Sequence, residues 1–213
     1  MALLLLASAS PRRHSWLSDW LDGTGTDIEV QPLISAESRP SVGLDVGVQA
    51  EATCLAKAES AAREIFLSGK SDIELVVVAD TLVEDPEDPL VAMGKPDDAI
   101  AAATMLLKLS GRRHRVWSST ALLYPPDGRQ EGTEVLHGGW SANIWTDSAV
   151  VEFDDLSEDR LVEMVRNESW YGKAGAYDLG GHAGRNAVLI EGFEVTVLGF
   201  AHTAMDALLK SLD

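Results

Sequence analysis

The sequence predicts an α/β protein, with one mixed, twisted sheet in two lobes, helices around it and a cleft between the lobes. In the first half, short apolar runs typical of buried strands alternate with longer stretches of helical periodicity. In the second half, two long strand-like segments flank a Pro-Pro-Asp-Gly turn, which favours antiparallel pairing. The chain has 213 residues, enough for a sizeable core, and we expect a single domain over residues 1–213.

The charge of the chain restricts its partners. The net charge is −17, with 17 basic against 34 acidic side chains, which argues against binding to nucleic acid or to an anionic membrane. The apolar run at residues 2–7 is short and follows no basic residue, unlike a secretory leader. No apolar stretch approaches the length of a membrane span. The single cysteine, Cys54, excludes an internal disulfide. We therefore expect a cytoplasmic protein with no nucleic-acid and no membrane partner.

Residues 3–13, LLLLASASPRR, predict a buried strand that runs into an anion-binding turn and a helix. The end of the strand brings Ser8, Ser10 and the amides of the turn to one point. Arg12 and Arg13 follow in the first helical turn, where the helix dipole already favours anions. Both guanidinium groups can make charge-assisted contacts with phosphate oxygens. An ordinary solvated face is the alternative for these arginines.

The next elements are a helix at residues 14–21, a strand at 28–34 and a long alanine-rich helix at 46–66. Glu37 follows the strand, and Lys57 lies on the long helix. From the residues alone, a loop glutamate and a helix-surface lysine are equally well explained as solvated side chains.

The strongest strand signal is residues 75–79, which are β-branched, apolar and short. Asp80 and Thr81 come directly after it, and ligands of open α/β sheets bind outside the carboxyl ends of strands. A carboxylate there suits a phosphate-bound metal or a water molecule. An acidic hairpin at 82–93 then leads to Gly94-Lys95-Pro96, where Lys95 can point at the same phosphates.

The second half contains the remaining elements. We expect a helix at 96–109, strands at 112–124 and 138–153, a helix that begins after Ser157, a strand pair at 188–190 and 194–198, and a closing helix at 202–212. His114 is a metal ligand, a base or a structural residue, and the lack of a second histidine at helical spacing favours the last. Trp140 and Trp145 are typical of a core or of a dimer surface. Around Lys173, residues 171–181 are rich in glycine and alanine, which predicts a tight loop able to close over a triphosphate.

Four blocks occur in order along the chain: LASASPRR, VVADT with GKP, SGRRHRV, and GKAGAYDLGG. Together they resemble the Maf-like nucleoside triphosphate pyrophosphatases over nearly the whole length. The resemblance implies hydrolysis between the α and β phosphates of a nucleoside triphosphate, giving the monophosphate and pyrophosphate, with Mg²⁺ or Mn²⁺ as the cofactor.

The resemblance also implies roles for the candidate residues. Asp80 is a general base or metal anchor, Glu37 is a metal-site carboxylate, and Lys95 acts beside them on phosphate. The implied substrate-binding residues are Ser8, Ser10, Arg12, Arg13, Lys57, Thr81 and Lys173. Phosphoryl transfer needs these residue types, because it depends on positioning and charge neutralisation.

The chain departs from the family pattern at Arg113, where a threonine is more usual, and at Ser118-Ser119, where a Thr-Ala or Thr-Gly pair is more usual. It also departs at 178–180, where Asp-Leu-Gly replaces a glycine, an aliphatic residue and a glutamine. The triplet Ala79-Asp80-Thr81 resembles members that prefer dTTP and UTP, and the departures predict relaxed selectivity that includes modified pyrimidines. A nucleotide-sensing regulator of cell division without turnover, and a pyrophosphatase for 7-methyl-GTP or other modified purines, stay open as alternatives. A homodimer also stays open.

Overall fold

The computed structural model describes residues 3–35, 43–70 and 72–212, and it confirms the mixed α/β class. Eight strands of this described part form one sheet. They are β1 (Leu3–Leu6), β2 (Asp27–Val30), β3 (Leu75–Asp85), β4 (Asp88–Met93), β5 (Arg113–Tyr124), β6 (Glu134–Val135), β7 (Ser141–Phe153) and β8 (Ala187–Glu191). The α-helices are α1 (Pro11–Trp20), α2 (Val46–Ser68), α3 (Ala99–Leu109), α4 (Glu158–Arg166), α5 (Glu194–Leu198) and α6 (His202–Leu212). None of these helices is long and apolar enough to cross a membrane.

The strand order is β2-β1-β3-β5-β7-β6, with β4 added to β3 and β8 added to β7. β1 lies parallel to both β2 and β3. β5 runs antiparallel to β3, and β7 runs antiparallel to β5 from Arg113↔Glu152 to Tyr124↔Ser141, as the sequence predicted. β3 is therefore central, with the parallel strand β1 on one edge and the antiparallel strand β5 on the other.

Three large apolar clusters cover the sheet, and their positions define the two lobes. Near the start of β3, Val76 and Val78 pack against α2, whereas Val77 and Ala79 pack on the other face with α6. This alternation follows from the two-residue period of a strand. Near the end of β3, Val83 joins a separate cluster built with α3, α4 and β8. Asp80 and Thr81 lie between these clusters.

Two elements differ from their predictions. β3 continues through Asp80 and Thr81 to Asp85, because β5 and β4 supply ladder partners beyond the apolar run. Residues 194–198 form α5 and not a strand, so that prediction was wrong. Its β-branched residues suggested a strand, but Glu194 favours a helix N-terminus, and Gly199 ends the helix with φ +123. β2 also ends at Val30, earlier than expected.

Candidate active site

The candidate site lies at a gap in one edge of β3. The amide of Ala7, just after β1, donates to the carbonyl of Val77 at 2.9 Å. β4 takes over the same edge only at Val83. Between them, Nη1 of Arg13 donates to the carbonyl of Ala79 at 2.7 Å, so that a guanidinium replaces a neighbouring strand. The edge at Ala79 to Thr81 is thus covered by a side chain of α1 and not by a strand.

Arg13 is held in place by the protein itself. Besides the bond to Ala79, Nε donates to the carbonyl of Gly199 at 2.9 Å and Nη2 donates to Oγ1 of Thr81 at 2.9 Å. A Cβ at residue 199 would lie 2.8 Å from Nε, so this close approach requires glycine. Arg13 therefore positions the loop against β3, and its role in substrate binding stays a prediction.

Ser8 and Ser10 organise the turn that precedes α1. The Oγ of buried Ser8 accepts from the amide of Ser10 at 3.2 Å. Ser10 is the N-cap of α1, and its Oγ accepts from the amide of Arg13 at 3.4 Å. Both hydroxyl groups shape the predicted anion-binding turn, and their contact with substrate stays a prediction.

Asp80 faces α2, where it meets Lys57. Oδ1 of Asp80 accepts from Nζ of Lys57 at 2.5 Å, and the two side chains are only 10% and 14% exposed. Oδ2 is buried and has no hydrogen-bond partner in the described part of the chain. A buried carboxylate oxygen without a partner is uncommon, because its desolvation is uncompensated, and such atoms are often reserved for chemistry. Nearby, burial raises the pKa of Cys54 to about 12, which keeps this thiol protonated at neutral pH.

Thr81 faces the opposite side of the sheet, where its hydroxyl is fully used. It accepts from Arg13 and lies 2.9 Å from Oγ of Ser118. Because the one hydroxyl proton of Ser118 goes to the carbonyl of Thr196 at 2.7 Å, Thr81 donates to Ser118. The departure at Ser118 is therefore part of the network that holds Thr81.

The glycine-rich loop joins the site from the second lobe. Gly175 has φ +66, and a Cβ there would lie 2.8 Å from Cγ2 of Val83, so glycine lets the loop pack directly on β3. The amide of Gly175 donates to the carbonyl of Gly94 at 3.1 Å. This bond places Lys173 and the exposed Lys95 on two joined segments.

Tyr177 anchors the loop in the core. Its hydroxyl lies 2.8 Å from Nε2 of His114, and its ring packs edge-on against Phe153. Burial lowers the pKa of His114 to about 4 and raises the pKa of Tyr177, so both are neutral at pH 7. His114 is thus an anchor for the loop, in agreement with the structural role that the sequence favoured.

Asp178 is the residue whose role sequence reasoning missed. Its Oδ1 lies 3.2 Å from Nη1 of Arg12, and its Oδ2 lies 3.3 Å from Nζ of Lys173. These are two of the cations that the resemblance assigns to phosphate. The sequence did contain a signal for this role, because an acidic residue is unexpected so close to Lys173 in a glycine-rich loop of a chain with few cations. Arg12, Thr81 and Tyr177 line a small cleft here that has room for about one water molecule.

In the described part of the chain, Oδ2 of Asp80 is a buried carboxylate oxygen that could bind a divalent cation, because it has no hydrogen-bond partner there. Glu37, the other predicted metal ligand, lies outside the described residues. Within them, no group of three or more acidic, histidine or cysteine side chains could hold a metal ion. A single buried carboxylate fits Mg²⁺ that arrives with its substrate, because this ion commonly uses one or two carboxylates together with phosphate oxygens and water.

Comparisons with known proteins agree with the resemblance. The family described as Maf-like protein matches residues 3–212. The chain is 36% identical to a dTTP/UTP pyrophosphatase of Moorella thermoacetica, over 91% of this chain and 85% of that protein. It is 32% identical to a dTTP/UTP pyrophosphatase of Nitratidesulfovibrio vulgaris, over 97% of this chain and 86% of that protein. The Ham1 protein of Staphylococcus aureus is similar in fold alone, with a TM-score of 0.51 and 11% identity over 99% of this chain and all of that one.

Proposed function

Since this chain belongs to the Maf-like protein family, we propose that it hydrolyses a nucleoside triphosphate to the monophosphate and pyrophosphate, with dTTP, UTP and modified pyrimidine forms as substrates. The observation that carries the proposal is Oδ2 of Asp80, a buried carboxylate oxygen without a partner among the described residues, beside Lys57 at this edge of β3. Removal of such triphosphates from the nucleotide pool is the corresponding cellular role.

In this mechanism Asp80 is the general base. Lys57 binds Oδ1 and so fixes the carboxylate, which leaves Oδ2 to accept a proton from water. The water oxygen bonds to the α-phosphorus as the bond from that phosphorus to the bridging oxygen breaks. The electron pair of the broken bond leaves with pyrophosphate. In this proposal the substrate binds beside the edge of β3 from Ala79 to Thr81, where Arg13 and not a strand pairs with β3, so that it lies near both Asp80 and the cleft on the opposite face.

Cations from three segments surround the polyphosphate in this proposal. Arg12 comes from the first turn of α1, Lys95 from the turn after β4, and Lys173 from the glycine-rich loop. Each neutralises charge that would otherwise repel the attacking water and the leaving group. Arg13 holds the turn before α1 against β3 through its three hydrogen bonds to the protein.

Metal anchor is the alternative role of Asp80, in which its Oδ2 and the carboxylate of Glu37 would hold the Mg²⁺ or Mn²⁺. Such a cation neutralises phosphate charge when it is bound. A cytoplasmic location and a homodimer complete the proposal. The buried reduced thiol of Cys54 supports the first, and the molecular mass in solution checks the second.

Pyrophosphate release from a panel of nucleotides at fixed Mg²⁺ tests the proposal. The panel holds dTTP, UTP, CTP, 5-methyl and pseudouridine forms, ITP and 7-methyl-GTP, with an Asp80→Asn preparation in parallel to identify contaminating activity. We expect release from several pyrimidine triphosphates by the wild-type chain alone. A clear preference for 7-methyl-GTP would contradict the pyrimidine assignment. Nucleotide binding without release across the panel would favour the sensing regulator.

A further inference from the structure

The carboxylate of Asp178 forms a bridge between two cationic side chains, those of Arg12 and Lys173. Arg12 belongs to α1, whereas Lys173 belongs to the loop that follows α4, and the carboxylate of Asp178 joins the two in the described part of the chain. The amide of Gly180 also donates to Oδ1 at 3.2 Å, which fixes the orientation of the carboxylate. Tyr177, held by His114, sets the position of the neighbouring backbone.

The bridge is made of long contacts. Its two nitrogen–oxygen distances are 3.2 and 3.3 Å, longer than the 2.5 Å between Lys57 and Asp80 and longer than an optimal charge-assisted bond. The three side chains of the bridge are 17–25% exposed, so water and ions reach them. Arg12 also keeps Nε buried without an acceptor in the described part of the chain. The carboxylate therefore occupies this anion site without using all of its donors.

From these contacts we propose that Asp178 is an internal competitor of the substrate, a carboxylate that occupies the polyphosphate site of Arg12 and Lys173 and must be displaced when phosphate binds. A phosphate group carries more negative charge than a carboxylate and has a further oxygen for Nε of Arg12. This inference rests on the proposed function, because it deepens the role of the same cations. It makes Asp178 a determinant of affinity and not a catalytic residue.

Two consequences follow from displacement. Removing the charge of Asp178 strengthens binding of any polyphosphate, because the cations are no longer neutralised and no ion pair must break. The competitor also lowers the affinity of every ligand that must displace it, including the pyrophosphate product, by the same factor, which favours product release.

Calorimetric titration with inorganic triphosphate, in the absence of divalent metal, tests the proposal. The variant is Asp178→Asn, and Asp178→Ser is a second variant whose hydroxyl can still accept from the Gly180 amide. Asp127→Asn is the matched control, since it makes the same change of charge at an exposed aspartate in the turn after β5. We expect Asp178→Asn and Asp178→Ser to bind about tenfold more tightly than the wild type, and the control to bind equally. Arg12→Gln added to Asp178→Asn should remove most of the gain.

Binding of either Asp178 variant within twofold of the wild type, or weaker binding, would overturn the inference. If one variant does not fold, as judged by thermal unfolding, the other decides. The proposed function is tested separately, by turnover of nucleotides. An inactive wild-type chain whose Asp178 variants bind triphosphate more tightly would contradict the function and keep the competitor. An active wild-type chain with unchanged binding in the variants would do the reverse.

Discussion

Asp80 and Thr81 are neighbours in β3, yet they lie on opposite faces of the sheet and in opposite kinds of environment. The hydroxyl of Thr81 accepts from Arg13 and donates to Ser118, so its hydrogen-bonding capacity is used by the fold. The carboxylate of Asp80 receives Lys57 on one oxygen, while the other has no partner in the described part of the chain. The difference separates a network that builds the site from a group that is kept available for chemistry.

The largest expected effect comes from Asp80→Asn, which removes the available carboxylate and keeps its shape. We expect turnover of dTTP or UTP to fall by at least about a hundredfold, because an amide cannot accept the proton of water. Triphosphate binding should persist, since the cations on the other face are untouched. Pyrophosphate release and calorimetric titration measure the two quantities. Turnover within tenfold of the wild type would exclude Asp80 from the role of base.

Arg13→Ala tests the hydrogen-bond network that holds Thr81 and builds the site. Its guanidinium makes three hydrogen bonds to β3 and Gly199, and truncation leaves two buried carbonyl groups without this partner. We expect the free energy of unfolding to fall by about 3 kcal/mol. Urea unfolding followed by circular dichroism measures this change.

Arg12→Ala is the matched control for Arg13→Ala, because the two arginines are adjacent in α1. Arg12 makes one long ion pair with a partly exposed aspartate, so its removal should cost about 1 kcal/mol or less. Equal losses for the two variants would show that Arg13 does not hold the loop to β3.

The sequence did not predict that Arg12 and Arg13 make such different contacts. Both stand in the first turn of a helix, as the sequence predicted, and nothing local distinguishes them. The distinction arises because the pairing of β1 with β3 ends at Val77, two residues before Ala79. The carbonyl of Ala79 is therefore left on the edge of β3, where it accepts from Arg13. Such a gap depends on the pairing of strands distant in sequence, and a single sequence does not report it.

The elements themselves were predicted well where periodicity was strong. The buried runs of β1 and β3, the antiparallel β5 and β7, and the Ser157 cap of α4 all appear in the structure. The prediction failed at residues 194–198, because five residues are too short for helical and strand patterns to differ. The pairing of Asp178 with Arg12 was also missed, because the two residues are 166 positions apart in the sequence.

The pH dependence of the free energy of unfolding tests the role of His114 as an anchor of the glycine-rich loop. Its pKa in the folded protein is about 4, below the ordinary value of 6.5, because burial disfavours the charged ring. The unfolded chain therefore binds more protons between these values, and the contribution to stability is lost as pH falls from 6.5 towards 4. Between pH 7 and pH 4.5 this loss should be about 2 kcal/mol. The measurement is the urea midpoint as a function of pH, for the wild type and for His114→Gln.

The glutamine variant keeps a polar group near Tyr177 and does not titrate, so the acid responses of all other groups cancel in the comparison. We expect the wild-type curve to fall more steeply below pH 6.5 than the variant curve. Parallel curves would mean that the pKa of His114 is not lowered in the folded protein.

The smallest effect is expected at Arg113, a departure from the family pattern that seemed relevant to base selection. Its side chain is 65% exposed and pairs with Glu152 at the outer end of β5. Ser118 lies five residues further along this strand, about 17 Å away at the rise of an extended chain. Arg113→Thr should therefore change the free energy of unfolding by about 0.5 kcal/mol or less, and kcat/KM for dTTP and UTP by less than about twofold.

Ser118→Thr is the contrasting variant, because it restores the more usual residue at a position that is fully buried and bonded to Thr81. An added methyl group there must displace its neighbours, so we expect lower stability and a change in kcat/KM through Thr81. Together the two variants separate a departure that contacts the site from one that only shares its strand. A change in the ratio of kcat/KM values for UTP and CTP in Arg113→Thr, with no change in Ser118→Thr, would reverse that assignment and place base recognition at the outer end of β5.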